Sequence, residues 1–530
     1  MFATLRGSMT WLHTWAGLLL GSVLFAIFWM GTLSVFDKEI DRWMMPETRL
    51  TLPSEAPSLD TIASTVRSAA PENTPRWQFT LPTARDPVIR ASYRDGRKVV
   101  RMHIDPNNFE SLGEPQSFAG TGFIFPFHFA LHLRPFGSIL GMPRLGYWVV
   151  GIAAMAMLVL LTSGVIIHKK LIADFFTFRS SAKLPRSSLD LHNVTGVIGL
   201  PFHFMMTLSG LIIFFLIYFP TVFDRTYGGE DNNEFRKEAF GDYVQEVADA
   251  PGGDMVSLDE LASRATAEWG GSLPYYVRVW NPADANGTIE FRRNRQNSVP
   301  LNVDLVSFDA DSGEVYKTHS SGPILGAQRW LAGFHFVQFD HWLLRWAYFG
   351  LGLTGCTLVA TGFLVWFSTR RKRHVALGLR GVRVVESLAI GSVTGIIVAT
   401  LAFFVANRLI PSGSIWFGVE RLYLELWAFY LVWLSAIGHA FLRGAQSSAW
   451  FEQCVAIAAL AITAVVLNSL TTGEHIIRSL TEGHPGVAGV DCLLLAGAGV
   501  ALFAASRLRS KVVAHDASES LPKPAVEMST

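Results

Sequence analysis

The sequence predicts a polytopic α-helical membrane protein with two extracytoplasmic α+β domains. It has eight transmembrane helices, four in a duplicated core and four extra helices after it. Three observations carry that class. Half of the 530 residues are hydrophobic and only 16% are charged, with mean hydropathy +0.31. Eight segments are long and apolar enough to span a bilayer, which takes about 20 residues. The first 375 residues also read as two copies of one unit.

The predicted spans are 9–36, 143–168, 190–219, 342–368, 384–406, 416–441, 450–470 and 486–506. Two long stretches, 37–127 and 220–328, are too rich in Pro, Asp, Asn and Arg to lie in lipid. Basic residues near span ends set orientation. Lys169, Lys170, Arg179, Lys183 and Arg186 follow the second span, "RRKRH" (370–374) with Arg380 and Arg383 follows the fourth, and "RLRSK" (507–511) follows the eighth. All fall on one side if both termini are cytoplasmic, which turns the two polar stretches outward into the periplasm of a bacterial inner membrane. The first span is too long for a cleaved signal and lacks a small-residue cleavage site. The formal net charge of +1 gives no sign of a nucleic-acid partner. Cys356, Cys454 and Cys492 all lie within spans, and no CxxCH occurs, so neither a disulfide framework nor covalently attached c-type haem is expected.

The repeat begins in the first span. "WLHTWAGLLLGSVLFAIFWMGTLSVF" (11–36) has His13 followed four and eighteen residues later by Gly17 and Gly31. In the third span, His192 of "LHNVTGVIGLPFHFMMTLSGLIIFF" is followed at the same intervals by Gly196 and Gly210. "FHFALHL" (127–133) precedes the second span and "FHFVQFDHW" (334–342) introduces the fourth. The second span ends "LTSGVIIHKK" and the fourth "VATGFLVWFSTRRKR". The polar stretches repeat as well. "SLDTIASTVRSAAP" and "SLDELASRATAEWG" each open a helix with a Ser N-cap. "VVRMHIDPNNFESLG" and "LNVDLVSFDADSGEVYK" read as strands closed by Asp-containing turns. The domains are therefore 1–183 and 184–375 as two repeats, 384–506 as a C-terminal four-helix membrane domain, and 507–530 as a cytoplasmic tail.

Two copies that enter the membrane the same way are related by an axis along its normal. Matched positions then sit at equal depth on opposite sides of that axis. His13 faces His192 near the cytoplasmic surface, and His128 or His132 faces His335 near the outer one. Opposed imidazoles at equal depth suit a bis-histidine haem b, whose iron takes a ligand from each porphyrin face. The glycines are expected to let the flat macrocycle approach the backbone. Two pairs imply two haems. For the outer ligand of the first repeat His132 is preferred to His128, because "LHLRP" looks like a helix entry at the interface. His203 lies eleven residues after His192, on the same helix face and roughly 16 Å further along. It either ligates the outer haem or bridges the two sites by hydrogen bonding, and its counterpart in the first repeat is Leu24.

The remaining histidines carry ordinary roles: His168 and His341 at the interface, His103 and His319 in the polar domains, and His439, His475, His484 and His515 without a pairing pattern. Arg134, Arg329 and Arg345 are placed to meet haem propionates or to snorkel at the interface. Glu420, Arg421 and Glu425 stand at the start of the sixth span, where interfacial solvation is the expectation.

"LHTWAG…GTLSVF", "LHNVTG…LSGLIIFF" and "FHFVQFDHWLLRWAYFGLGLTGCTLVATGFLVW", around two SLD-led modules, resemble the PepSY-associated transmembrane family over residues 1–375. That family includes bacterial inner-membrane ferric-siderophore reductases and other iron-regulated membrane proteins. The resemblance implies PepSY-like outward domains, a four-helix core with two b haems, ligand roles for His13, His132, His192 and His335, and reduction of a ferric siderophore or other Fe(III) chelate during iron uptake. The chain departs from the pattern in its four extra spans and in His203. No GxGxxG after a strand and no GxxxxGK[ST] occurs, so the electron donor, a cytoplasmic reductase or a quinol, is external to the chain. Two other classes compete. One is a permease for a siderophore, metal or peptide with the histidines as transient ligands. The other is a non-catalytic module that binds a periplasmic partner.

Overall fold

The computed structural model describes residues 4–168, 179, 184–227, 233–241, 247–295, 298–378, 381–443 and 447–519. Among them, eight helices are long and apolar enough to cross a membrane: Leu5–Ser34, Leu145–Ile167, Pro185–Ile213, Trp342–Arg370, Gly381–Leu409, Arg421–Arg443, Ser448–Thr472 and Pro485–Arg509. Two expected bounds are corrected. The third span was expected to run to residue 219, but its helix ends at Ile213, where Phe214 (φ −99°, ψ 25°) leaves helical geometry before the short helix Phe215–Tyr218. Unbroken apolar sequence conceals such a break. The sixth was expected from residue 416, but Ile415–Trp416 and Val419–Glu420 pair as a hairpin. Phe417 and Gly418 both take positive φ in its turn, which suits a two-residue hairpin loop and delays the helix to Arg421. Lys169, Lys170, Lys183 and Arg380, used to orient the chain, lie outside the described residues.

The chain divides into two compact units, Met1–Met30 with Val159–Gly199 and Gly352–Thr530, and Gly31–Leu158 with Leu200–Leu351. The second unit holds one eight-stranded sheet. Its strands are β1 Arg76–Thr80, β2 Ile89–Asp95, β3 Lys98–Ile104, β4 Ser111–Gly113, β5 Pro274–Trp280, β6 Thr288–Arg293, β7 Leu305–Asp309 and β8 Val315–His319. The order is β4-β3-β2-β1-β5-β6-β7-β8, all antiparallel, so two four-stranded meanders meet along β1 and β5. Strand alternation sends Trp77, Phe79, Val277, Val279, Ile289 and Phe291 to one face. There they share a single core with Leu59, Ile62 and Val66 of helix Leu59–Ala69 and with Leu258, Leu261 and Ala265 of helix Leu258–Glu268.

The repeated "SLD" is the joint between these helices. Ser58 Oγ donates to Asp259 Oδ2 at 2.6 Å and Leu59 N to Asp259 Oδ1 at 2.8 Å. Reciprocally, Ser257 Oγ donates to Asp60 Oδ2 at 2.6 Å and Leu258 N to Asp60 Oδ1 at 2.6 Å. Each helix is thus capped by its own serine and by the other helix's aspartate, whose negative charge also suits the partially positive N-terminus.

A second cluster ties the start of this unit to the sheet. Helix Asp37–Met44 supplies Glu39 to Arg85 (2.7 Å) and Asp41 to Arg90 (2.8 Å), while Asp86 holds Arg90 (2.6 Å) and Lys38 (3.1 Å). Asp41 also accepts from Thr121 N and Oγ1, at 3.0 and 2.6 Å. Beside them, a Cβ on Gly120 would lie 2.3 Å from the Asp37 carbonyl oxygen, so only glycine fits. These contacts fix the segment that leads into helix Phe125–Ala130. His103, 3% exposed on β3, has its pKa pushed down to about 4, first by burial and then by the Arg90 charge.

In the first unit the C-terminal helices are joined through polar contacts. Trp29 Nε1 donates to Thr400 Oγ1 (3.0 Å), Trp433 Nε1 to the Gly391 carbonyl (2.8 Å) and Asn468 Nδ2 to Asp491 Oδ2 (3.1 Å). The expected solvation of Arg421 and Glu425 is corrected. Both are buried, with Arg421 Nε 3.3 Å from Glu425 Oε1, which also accepts from Asn407 Nδ2 at 2.8 Å. Only Glu420 is exposed.

Two tests follow from the sheet unit. Asp60→Ala and Asp259→Ala each remove one cap and are expected to cost about 1 kcal/mol, read as a lower melting temperature of the full chain; unchanged melting would reject the joint. The unfolded chain protonates His103 near its ordinary 6.5, the folded one only near 4. Between those values the unfolded state binds more protons, so this stability is present above 6.5 and lost as pH falls toward 4. The loss is up to about 3 kcal/mol. A His103→Leu variant should show a flatter melting-versus-pH curve over that window than the wild type.

Candidate functional site

The structure brings four of the predicted histidines into two facing pairs. In the first unit, His13 and His192 lie with ring centroids 6.4 Å apart and planes at 87°. The first and third spans supply the rings, and the second and fourth supply their partners. His13 Nδ1 lies 3.1 Å from the Leu160 carbonyl oxygen and 3.0 Å from Ser163 Oγ. His192 Nδ1 lies 2.9 Å from the Leu358 carbonyl oxygen and 3.4 Å from Thr361 Oγ1. A carbonyl oxygen only accepts, so Nδ1 carries the proton in both rings. The neutral imidazole then keeps its lone pair on Nε2, the protonation pattern of a metal-ligating histidine.

In the second unit, His128 and His335 have centroids 6.0 Å apart and planes at 36°. His335 Nδ1 lies 3.0 Å from Ser209 Oγ. The Ser209 hydroxyl donates to the Met205 carbonyl at 2.7 Å, so its oxygen receives the ring proton and Nε2 again keeps a lone pair.

The repeated glycines lie against these rings and their neighbours. A Cβ on Gly31 would stand 2.6 Å from His128 Nδ1, and one on Gly210 3.0 Å from His335 Cε1. A Cβ on Gly164 would stand 3.4 Å from His13 Cε1, and one on Gly362 3.4 Å from His192 Cε1. On Gly17 and Gly196 it would instead meet Leu160 and Leu358, at 3.6 and 3.3 Å. The glycine four residues after the histidine therefore faces a leucine of a neighbouring helix. Ser163–Gly164, Ser209–Gly210 and Thr361–Gly362 form one device: the hydroxyl takes the Nδ1 proton and the glycine leaves room for the ring.

Two imidazoles on opposite sides of one metal ion, each at roughly 2.0 Å with about 1.2 Å from nitrogen to ring centre, have centroids about 6.4 Å apart. The two pairs, at 6.4 and 6.0 Å, fit that separation. In donor type and spacing, and in the protonation of His13, His192 and His335, the residues fit axial ligation of haem iron.

The preference for His132 over His128 is corrected. Helix Phe125–Ala130 ends there, and Leu131 and His132 both take φ 49°. That turn folds His132 back to stack on Phe123 at 5.0 Å, with Nε2 donating to the Phe123 carbonyl at 2.9 Å. "LHLRP" does lead into a helix, Arg134–Ile139, but His132 sits in the turn between that helix and Phe125–Ala130, with its ring held by Phe123. His203 is fully buried and donates from Nε2 to the Leu351 carbonyl at 3.1 Å, occupying the nitrogen that the paired rings leave open. Arg345 is likewise committed, donating to the carbonyls of Phe339, Val35 and Val337 at 3.0, 2.7 and 2.6 Å. Arg134 is exposed. His439 and His484 do have carboxylate neighbours, Glu452 at 2.7 Å and Glu474 at 3.4 Å, while the side chain of His515 lies outside the described residues.

The profile of the family described as the PepSY-associated TM region matches residues 10–368, which contain all four paired histidines. The chain belongs to the PepSY-associated TM region family. An uncharacterized protein of Pseudomonas aeruginosa is 27% identical over 306 residues, covering 53% of this chain and 74% of that protein. The family match ends before the fifth span, so the C-terminal helices lie beyond it.

The glycine contacts separate two effects of added bulk. Gly31→Ala must displace His128 and is expected to cost about 1–3 kcal/mol. Gly17→Ala meets only an ordinary contact and gains helix propensity of up to about 1 kcal/mol. Thermal unfolding of the two variants should therefore shift in opposite directions.

Proposed function

We propose that the chain is a di-haem b electron-transfer protein of the bacterial inner membrane, a ferric-chelate reductase of the oxidoreductase class. In this reading the α+β modules are periplasmic, both termini are cytoplasmic, and the four spans of residues 1–375 are a duplicated core. The observation that supports it most is the two facing imidazole pairs, in which His13, His192 and His335 have Nδ1 tied to a carbonyl or hydroxyl on a neighbouring element. Opposed rings, with Nε2 left open in His13, His192 and His335, suit axial ligation by His13 with His192 and by His128 with His335.

Arg329 supports the same reading. It lies six residues before His335 on helix Pro323–Phe336, is 8% exposed, and its guanidinium makes no hydrogen bond or ion pair with any described residue. Its guanidinium stands over the Phe240 ring at 4.7 Å. Burial, with the Arg295 charge nearby, lowers its pKa to about 10, so it stays charged at neutral pH. A buried, unpaired guanidinium suits a carboxylate of the bound group, as haem propionates provide.

When bound, haem supplies one-electron transfer. The chain's own work is to hold the rings neutral, with lone pairs opposed, and to exclude water around them. The substrate is a ferric siderophore or other Fe(III) chelate. One electron converts Fe(III) to Fe(II), whose lower charge weakens the hold of hard oxygen ligands and frees the metal. The electron comes from a cytoplasmic reductase or a quinol.

Pyridine haemochrome quantification tests this. Wild type should carry about two haems per chain. His13→Ala and His335→Ala should each fall to about one, and His132→Ala should keep both. Unchanged stoichiometry in the first two variants would reject the ligand assignment.

A further inference from the structure

The face of the sheet opposite its hydrophobic core carries a cationic and aromatic group at the β1–β5 seam. Arg76 and Trp280 are direct cross-strand partners, and so are Gln78 and Arg278. The guanidinium carbons of Arg76 and Arg278 stand 5.0 and 5.2 Å from the centre of the Trp280 ring. Arg278 Nε donates to Tyr276 Oη at 2.6 Å, and Tyr276 Oη donates to Gln78 Oε1 at 2.6 Å. The Arg76 guanidinium has no hydrogen bond or ion pair with a described residue, and Trp280 Nε1 is buried with no acceptor. Glu290 lies 3.8 Å from Arg278 but is already held by Arg292 Nε at 2.5 Å. Burial and the like charges of Arg278 and Arg94 lower the Arg76 pKa.

Such a group is incomplete without a ligand. Adjacent guanidiniums repel unless an anion lies between them, and a buried indole N–H without an acceptor costs on the order of 1–3 kcal/mol. The missing partner therefore carries negative charge and accepts a hydrogen bond. Indole and phenol rings flanked by guanidiniums also favour a flat aromatic surface.

We propose that this seam docks the metal chelate, and that the chelate class is anionic with aromatic oxygen donors, catecholate or phenolate rather than neutral hydroxamate. The proposal rests on the reductase reading and names the substrate class for it. Arg76 and Arg278 meet the chelate's charge, Trp280 Nε1 donates to a ligand oxygen, and the Trp280 ring faces its aromatic groups, while Tyr276 positions Arg278. Because Arg76 and Trp280 come from opposite halves of the sheet, neither module alone makes this site.

The test separates binding from electron transfer by using gallium(III), which takes the same oxygen ligands as Fe(III) but is not reduced. Calorimetric titration of the full chain in nanodiscs uses two probes: trianionic Ga(III) tris(catecholate) and neutral Ga(III) tris(acetohydroxamate). The wild type should bind the first in preference. Arg76→Glu should weaken it by about tenfold or more, and Trp280→Phe, which keeps the ring but loses the donor, by about threefold to tenfold. Neither should change hydroxamate affinity by more than about twofold. Arg76→Gln, with melting equal to wild type, guards against misfolding and should weaken the anionic probe in the same direction. Failure of the wild type to bind the catecholate overturns the proposal, as does unchanged affinity in the variants or an equal loss for the neutral chelate. Haem content on the same preparations is an independent readout. Its absence would sink the electron-transfer reading while leaving the binding result interpretable.

Discussion

A neutral imidazole inside an apolar helix bundle survives only if its N–H is given an acceptor, and the position of that acceptor decides which nitrogen stays basic. Here the carbonyls of Leu160 and Leu358 and the hydroxyl of Ser209 receive the Nδ1 proton of His13, His192 and His335. Each bond is worth about 1 kcal/mol net, yet leaving the donor unmet would cost more than that. The tie therefore constrains the packing. A helix shift of one residue would take Leu160 or Leu358 away from its ring, so the register of the paired spans and the availability of Nε2 are one property. Gly164 and Gly362 lie beside these rings, where an added Cβ would already be in van der Waals contact with Cε1.

The soluble region obeys a similar logic of mutual dependence. Asp60 and Asp259 cap each other's helices, and the β1–β5 pairing merges two meanders into one sheet over one core. An isolated module would expose the edge of β1 or β5 and leave its helix without half of its cap. The seam that results is also the one place where Arg76 can stand over Trp280. Joining the modules thus creates chemistry that neither possesses.

Most of the spans were legible because twenty-residue apolar runs have few alternatives in water or lipid. The break at Phe214 and the hairpin at Ile415–Glu420 were not, since both are apolar and only backbone geometry marks them. In the site, the spacing of His13, Gly17 and Gly31 against His192, Gly196 and Gly210 identified the rings, but the glycines' partners depended on helices far away in sequence. The recurrence of "FHF" pointed to His128; the left-handed turn at Leu131 and His132 that excludes His132 left no periodic trace. The hydroxyl–glycine dipeptides were visible as a signature, though their hydrogen-bonding role was not. The reciprocal caps illustrate the same limit, because a local N-cap motif does not disclose that its second acceptor sits two hundred residues away.

The arginines of the sheet unit divide into two kinds by the partners they have. Arg85, Arg90 and Arg345 are surrounded by carboxylates or carbonyls that satisfy them, and removing any of them would leave those acceptors stranded. Arg329 and Arg76 lack such partners among the described residues. An aromatic face offsets only part of the desolvation of a guanidinium, on the order of 1–2 kcal/mol, against a penalty of several kcal/mol for burying the charge. A scaffold gains nothing by keeping such a group, and an apolar residue of similar volume would pack as well. On the reading proposed above, an anion from outside the chain would complete both: a carboxylate near His335, and a charged chelate at the seam.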